Sequence, residues 1–380
     1  MAERRTINLL YEDYANWTGG TYYILNIIRA LKLLNDSSKP YINIVHNEKS
    51  STDVIKSIDY PYIRFTKWDI KRSVSKRIAN KLMRILFGKR LVGDKLPPGI
   101  TDNVYPLNST IELQNLKNSF FWIPDFQDKY LPQFFTEQEI LSRNNQYQFI
   151  VDSGLGVVFS SRNALNDYNK FYPDNHNKKV VLSFASFIGD KYKVIPMEDL
   201  KKKYDIKVPY FIVANQFWAH KNHKIVLEAI YELKQRGFEF KVLFTGKEED
   251  YRNPDYIIQI KQYISDKEIG NHVSLLGFID RHEQLQLMKH ALAIIQPSFF
   301  EGWSTVVEDA KAINNYLLVS DIPIHREQCV DNFTLFDPKN ANDLSFKMEQ
   351  LLENPPICKP GNYELEHKKF AENLLSLFFE

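Results

Sequence analysis

Cysteine is nearly absent: Cys329 and Cys358 are the only two in 380 residues. Neither lies in a CxxC pair or a metal-like spacing, so the simplest reading is a reducing, cytoplasmic setting without a disulfide framework. No apolar run reaches the roughly 20 residues needed to span a bilayer. The N-terminal MAERRTINLLYED lacks the apolar segment of a secretion signal. No internal repeat or low-complexity tract is present. The nine histidines are scattered, and there is no HExxH or DxD, so neither a metal nor a cofactor is expected. Excess charge is missing too: 49 basic against 47 acidic residues give a net +2, which argues against bulk nucleic-acid binding.

Hydrophobic residues make up 44% and charged residues 25%, as in a packed globular protein. The length suits two domains. Apolar strand-like runs alternate with helical patterns: Thr6 to Leu10, a helix over YYILNIIRALKLL, Tyr41 to Val45, Phe120 to Ile123 and Gly156 to Ser160. The rhythm restarts near residue 190, with strands at Tyr210 to Ala214, Phe240 to Thr245, Val273 to Leu276, Leu292 to Gln296 and Tyr316 to Ser320. Helices are expected at Lys224 to Arg236, from about Glu283, and from Thr305. This βαβ alternation predicts an α/β fold with two parallel sheets, each covered by helices. The boundary falls near Phe187 to Lys193, and a last helix at Tyr363 to Phe379 has no strand after it. The expected domains are 1–188, 189–361 and a terminal helix, 362–380.

QPSFFEGWSTVVEDAKA is the most informative segment. A strand ends at Gln296-Pro297, a loop carries Glu301 and Gly302, and a helix starts at Ser304 or Thr305. In an open parallel sheet, ligands bind beyond the carboxyl ends of strands. Free N–H groups at a helix start suit a phosphate, and Gly302 permits close backbone approach. Carboxylates such as Glu301 and Glu308 accept hydrogen bonds from sugar hydroxyls. Alternatively, Thr305 and Glu308 form a T-x-x-E capping box and Glu301 is an ordinary loop acid.

NQFWAHKNHK, residues 215–224, opens another helix. His220, Lys221, His223 and Lys224 crowd a helix start, where the macrodipole disfavours cations. An anion there makes the arrangement favourable, with Lys221 stabilising a leaving diphosphate and His220 adding charge if protonated. The competing reading is a solvated lysine beside an Asn222 N-cap.

Three features lie in the first half. Gly19-Gly20 sits between the first strand and first helix, as a plain turn or a loop approaching a phosphate. Asp125 follows a strand end after Pro124, a common turn pair. Residues 71–90 carry eight Lys/Arg and no acids, with Val74, Ile78, Leu82, Ile85 and Leu86 largely on one helical face. That stretch is either a core-packed helix with a basic outer face or an element for an anionic membrane surface or lipid-linked acceptor. Nucleic acid is disfavoured there because no stacking aromatics interleave the charges.

PSFFEGWSTVVEDAKA resembles the E-x7-E motif of retaining GT-B glycosyltransferases of the family-4 group (glycosyltransferase group 1), but six residues separate Glu301 from Glu308 here, one fewer than in that motif, whose second position is Asp309. The basic loop is similar to that family's G-R-x4-K element, with Lys221 at the Lys and Gln216 at the Arg. The resemblance implies two Rossmann-like domains facing a central cleft. The first would hold a glycan or lipid-linked acceptor and the second a nucleotide diphosphate sugar, with the C-terminal helix crossing back to the first. It implies sugar hydroxyl contacts for Glu301, a ribose contact for Glu308, and backbone phosphate contacts from Trp303, Ser304 and Thr305. It also implies diphosphate binding by Lys221, donor approach by Gly19 and Gly20, and base contacts near Gly246, Lys247 and Phe278. For Asp125 it implies, instead of a turn residue, an acceptor-facing group that orients a hydroxyl or takes its proton. The expected reaction is metal-independent retaining transfer, in bacterial cell-surface polysaccharide or glycolipid synthesis, by a protein in the cytoplasm or peripheral on the inner membrane face. An epimerase of the same fold, a non-catalytic nucleotide- or glycan-binding protein, and a membrane interaction protein built on 71–90 stay open as rivals.

Overall fold

The computed structural model describes residues 4–12, 18–48, 50–68, 74–87 and 93–379. The chain forms two compact units. The first comprises Met1–Phe126, Glu137–Ala185 and Glu364–Glu380, and the second comprises Gln127–Thr136 and Ser186–Tyr363. The second unit therefore takes in residues 127–136, which the sequence reading assigned to the first domain.

In the first unit, β1 (Thr6–Tyr11), α1 (Thr18–Lys32), β2 (Tyr41–His46), α2 (Asp53–Lys56), β3 (Ile63–Lys67), α3 (Val74–Phe87) and β4 (Val104–Tyr105) follow in order. Their strands form a parallel sheet in the order β3-β2-β1-β4. β5 (Phe120–Ile123) is followed by α4 (Gln127–Tyr130), which belongs to the second unit. The chain then returns through α5 (Glu137–Ser153), β6 (Gly156–Phe159), α6 (Arg162–Phe171) and β7 (Lys179–Val181). A parallel bridge from Leu107 to Phe121 links the β5-β6-β7 sheet to the first. Gly19 and Gly20 lie inside the first turn of α1, not in a turn before it. The first-turn N–H groups of a helix have no intrahelical partner, so glycine is tolerated there.

The second unit continues with α7 (Met197–Lys203), β8 (Tyr210–Val213), α8 (His223–Gln235), β9 (Lys241–Thr245), α9 (Tyr256–Asp266) and β10 (Val273–Gly277). It ends with α10 (Arg281–His290), β11 (Ile294–Gln296), α11 (Thr305–Ile313), β12 (Leu317–Ser320), α12 (Pro323–Gln328), β13 (Phe333–Phe336) and α13 (Ala341–Glu353). All six strands are parallel, in the order β10-β9-β8-β11-β12-β13. β8, with sequence YFIV, is buried at every position, as a central strand covered on both faces must be. Phe211, Val213, Ile225, Ile230, Phe244 and Ile295 meet on one face, and Ile212, Leu243, Leu287, Ile294 and Val307 on the other. Each such side chain contributes about 1.5–3 kcal/mol by burial.

The final helix, α14 (Glu364–Phe379), is part of the first unit. Phe370, Leu374, Leu377 and Phe378 form its buried stripe, and the Phe378 ring meets Tyr105 and Phe120 edge-on.

Candidate active site

Strand order decides where a ligand fits. The sheet of the second unit reverses direction of growth between β8 and β11, and the loops after those two strands flank the resulting crevice. These are the two loops that the sequence singles out.

Lys221 comes from the β8 loop and Glu301 from the β11 loop. The Lys221 ammonium lies 2.7 Å from Glu301 Oε1. The same oxygen accepts from Gln296 Nε2 at 2.7 Å and Ser298 Oγ at 2.6 Å. Gln296 is oriented in turn by Asn215 Nδ2 at 2.8 Å. Oε2 makes no hydrogen bond among the described residues, so one oxygen is fixed and the other faces no protein donor. Burial works to raise the Glu301 pKa, but the Lys221 charge and the hydrogen bonds from Lys221 and Ser298 outweigh it and hold the carboxyl below its ordinary value.

The loops are joined by backbone bonds as well. Phe299 N donates to His220 O at 2.9 Å. Asn222 has φ 55° and makes no side-chain cap. It stands at the N-cap position of α8 as expected, but its Nδ2 donates to Pro297 O and Pro338 O at 3.1 and 2.9 Å, so its amide ties three loops together instead of capping the helix. His220 is buried, and desolvation, followed by the charges of Lys221 and Arg252 and by His223, pushes its pKa well down. It is neutral near pH 7 and adds no positive charge. His223, stacked on Phe217 with ring centroids 4.5 Å apart, is lowered by burial to about 3. Gln216 has no side-chain hydrogen bond among the described residues.

The capping box also gives way. Ser304 is the N-cap of α11, and its hydroxyl accepts from Val307 N at 3.4 Å. Glu308 lies further in and is 1% exposed. Its Oε1 accepts from Lys311 at 2.9 Å and Gln328 Nε2 at 2.9 Å, and its Oε2 accepts from the Tyr363 hydroxyl. Of the backbone groups expected at a phosphate, Ser304 N donates to Gln328 Oε1 at 3.0 Å and is already engaged. The Thr305 N–H and that of Gly302 carry no hydrogen bond among the described residues. Trp303 is half-buried beside them.

Gly246, at φ 146°, lies against the β8 loop: a Cβ there would stand 2.1 Å from Asn215 O, so no other residue fits. Lys247 pairs with Glu249 at 2.7 Å, and its carbonyl accepts from Phe217 N. Phe278 is 80% exposed beyond β10. Gly19, Gly20 and Asp125 belong to the first unit. Asp125 follows β5 with Arg143 Nη1 3.9 Å from Oδ1, and its carbonyl accepts from the Tyr147 hydroxyl at 3.4 Å. On α3, Ile78 and Leu82, one helical turn apart, are both more than half exposed. Residues 71–73 and 88–90 of the basic stretch lie outside the described residues.

Several residues that complete this site carry no sequence signal. Gln328 and Tyr363 reach Glu308 from 20 and 55 positions away. His325 is fully buried, with Nδ1 2.8 Å from Ser320 O, so Nδ1 carries the proton. Residues 127–136 bring Tyr130 onto Phe300, with ring centroids 5.6 Å apart, and Phe134 near His220.

Residues 196–371 match the family model described as glycosyl transferases group 1. The O-antigen chain mannosyltransferase RfbU of Salmonella typhimurium is 25% identical over 179 residues, which cover 45% of this chain and 46% of that relative. The chain thus aligns with about half the length of this curated relative. Among solved structures, a glycosyltransferase from Rickettsia africae superposes with a TM-score of 0.62 at 18% identity, covering 99% of this chain and 93% of that one. Anabaena HepE in complex with UDP and glucose gives 0.64 at 11% identity, covering 98% and 94%. Both likenesses establish the fold, which is GT-B.

Proposed function

We propose, for a chain whose residues 196–371 belong to the glycosyl transferases group 1, that it moves a sugar from a nucleotide diphosphate donor to an acceptor hydroxyl with retention of anomeric configuration and without a metal. The observation that carries this reading is the Lys221–Glu301 pair at the sheet's switch point. A diphosphate gains charge as the anomeric C–O bond breaks, and Lys221 is placed to stabilise that charge. Glu301 Oε2 accepts from donor sugar hydroxyls. The acceptor oxygen forms its bond on the face the diphosphate leaves, and its proton passes to the departing phosphate oxygen, so no protein nucleophile is needed. Glu308 holds the ribose, the N–H groups of Gly302, Trp303 and Thr305 meet the diphosphate, and Gly246, Lys247 and Phe278 lie toward the base. For Gly19 and Gly20 a donor role, and for Asp125 an acceptor role, rest on the family resemblance alone.

The likeness to an O-antigen chain mannosyltransferase supports a role in cell-surface polysaccharide or glycolipid synthesis and puts mannose donors first among those to test. The exposed Ile78 and Leu82 on the basic helix α3 suit an anionic membrane surface that presents a lipid-linked acceptor.

A thermal-shift screen against UDP-, GDP-, ADP- and dTDP-sugars tests the donor site, followed by transfer to a glycan acceptor. Stabilisation by one base series and α-linked product from an α-donor are expected. Free nucleotide released with an epimerised sugar and no need for acceptor would replace transfer with epimerisation. Tight binding without turnover would make the chain a binding protein.

A further inference from the structure

The proposed leaving group is short of positive charge. Lys221 is neutralised by Glu301, and His220 and His223 are held neutral by burial. Other cations near the carboxyl edge of the sheet are matched as well: Lys247 by Glu249, Lys224 by Glu228, Lys311 by Glu308 and Arg281 by Asp309. Gln216, in the β8 loop, has no charge to offer. A departing nucleoside diphosphate therefore meets a site with little net charge unless another cation enters.

Arg252 fits that need. It lies in the loop after β9, and β9 is the neighbour of β8. This loop lies directly on the β8 loop: Ala219 N donates to Asp250 Oδ2 at 3.1 Å, Phe217 N donates to Lys247 O at 3.1 Å, and Gly246 touches Asn215. The Arg252 side chain is 8% exposed. Its guanidinium carbon stands 5.0 Å from the Phe135 ring centroid, 5.1 Å from Trp218 and 5.6 Å from Tyr251, an aromatic cage that fixes its plane. Arg252 also has a carboxylate beside it, Asp250 Oδ1 at 3.5 Å from Nε, but no hydrogen bond joins them and that carboxylate is shared with two backbone N–H groups, so the terminal nitrogens stay available to a second anion. The terminal nitrogens, which carry four of the five guanidinium N–H groups, make no hydrogen bond among the described residues, and only Nε is sealed from solvent.

A guanidinium held among aromatic rings, with terminal nitrogens open to solvent and bonded to no protein acceptor, is suited to an anion, because charge-assisted bidentate pairing with a phosphate is stronger than neutral hydrogen bonding. We propose that Arg252 binds the donor diphosphate from the β9 loop and supplies the cation that Gln216 does not. This rests on the glycosyl-transfer reading above.

The test uses the full chain as wild type, Arg252→Met, Arg252→Lys and Arg252→Met combined with Gln216→Arg. UDP, GDP, ADP, dTDP and inorganic pyrophosphate are titrated calorimetrically at low and high salt, and unfolding temperatures are measured without ligand. Arg252→Met is expected to weaken the nucleoside diphosphate that wild type binds at least tenfold, and less at high salt. Arg252→Lys should retain part of that affinity, and Gln216→Arg should recover most of the loss. Unchanged affinity in Arg252→Met overturns the role of Arg252 alone. So does a loss that tracks a lowered unfolding temperature and is not recovered by Gln216→Arg, which would make Arg252 a clasp for residues 127–136. Failure of wild type to bind any of the ligands overturns both this role and the glycosyl-transfer reading.

Discussion

The Lys221 ammonium and Glu301 Oε1, 80 positions apart in sequence, meet at 2.7 Å across the crevice between β8 and β11. The side chains are 16% and 9% exposed, so each compensates for the other's desolvation. Removing one partner of such a pair costs about 3–5 kcal/mol because the other is left buried and unpaired. Lys221→Met is expected to lower stability on that scale and to reduce transfer at least a hundredfold. Glu301→Gln should reduce transfer similarly with a smaller loss of stability. Urea titrations and initial rates separate the two effects.

Acid should destabilise the protein earlier than its carboxylates require. His223 has a folded pKa of about 3 against an ordinary 6.5, and burial lowers His220 and His325 too. Between those limits the unfolded chain binds protons that the folded chain refuses. This stability is fully present above pH 6.5 and is lost as pH falls toward the folded values. Each histidine contributes a slope of up to about 1.4 kcal/mol per pH unit. The depressed Glu301 carboxyl acts in the same direction, but only below about its ordinary value of 4.5. Urea midpoints should decline from pH 6.5 to 5, and His223→Gln should flatten that decline by the share of one proton.

If Glu308 holds the donor ribose as proposed, Tyr363 is its competitor for Oε2. Its hydroxyl donates to Glu308 Oε2 and accepts from Ser186 N at 2.8 Å. Tyr363→Phe should tighten nucleoside diphosphate binding severalfold while costing about 1 kcal/mol of stability for the lost hydrogen bonds. Calorimetric titration beside thermal unfolding checks both signs.

Ile78→Ser with Leu82→Ser removes exposed apolar surface from α3. Sedimentation with vesicles of anionic lipid should show reduced binding, while transfer to a water-soluble acceptor stays within twofold of wild type. Unchanged vesicle binding would leave the helix without that role.

The segment with Glu301, Gly302 and Glu308, the basic loop with Lys221, and the β8-to-β12 core strands were legible because they concentrate apolar runs and unusual polar residues over short spans. The edge strands β3 and β4 were not, although the edge strands β5 and β10 were. β3 reads IRFTK and β4 has two residues, and strands at or near a sheet edge need neither length nor continuous hydrophobicity. The side-chain capping and turn readings failed for a related reason. Ser304, Asn222 and the glycines of α1 permit several local conformations, and tertiary hydrogen bonds such as those of Asn222 to Pro297 and Pro338 select one. Gln328, Tyr363 and Arg252 were silent because their partners lie 20 or more positions away or are aromatic rings gathered from separate loops.

Residues 127–136 bear on any attempt to dissect the chain. Tyr130, Phe134 and Phe135 cover Phe300, His220 and Arg252, yet they are encoded before the linker at Ser186. A recombinant fragment starting at that linker would leave its loop aromatics bare and tend to self-associate. Supplying the missing decapeptide in trans, or grafting it onto the fragment's terminus, would restore solubility.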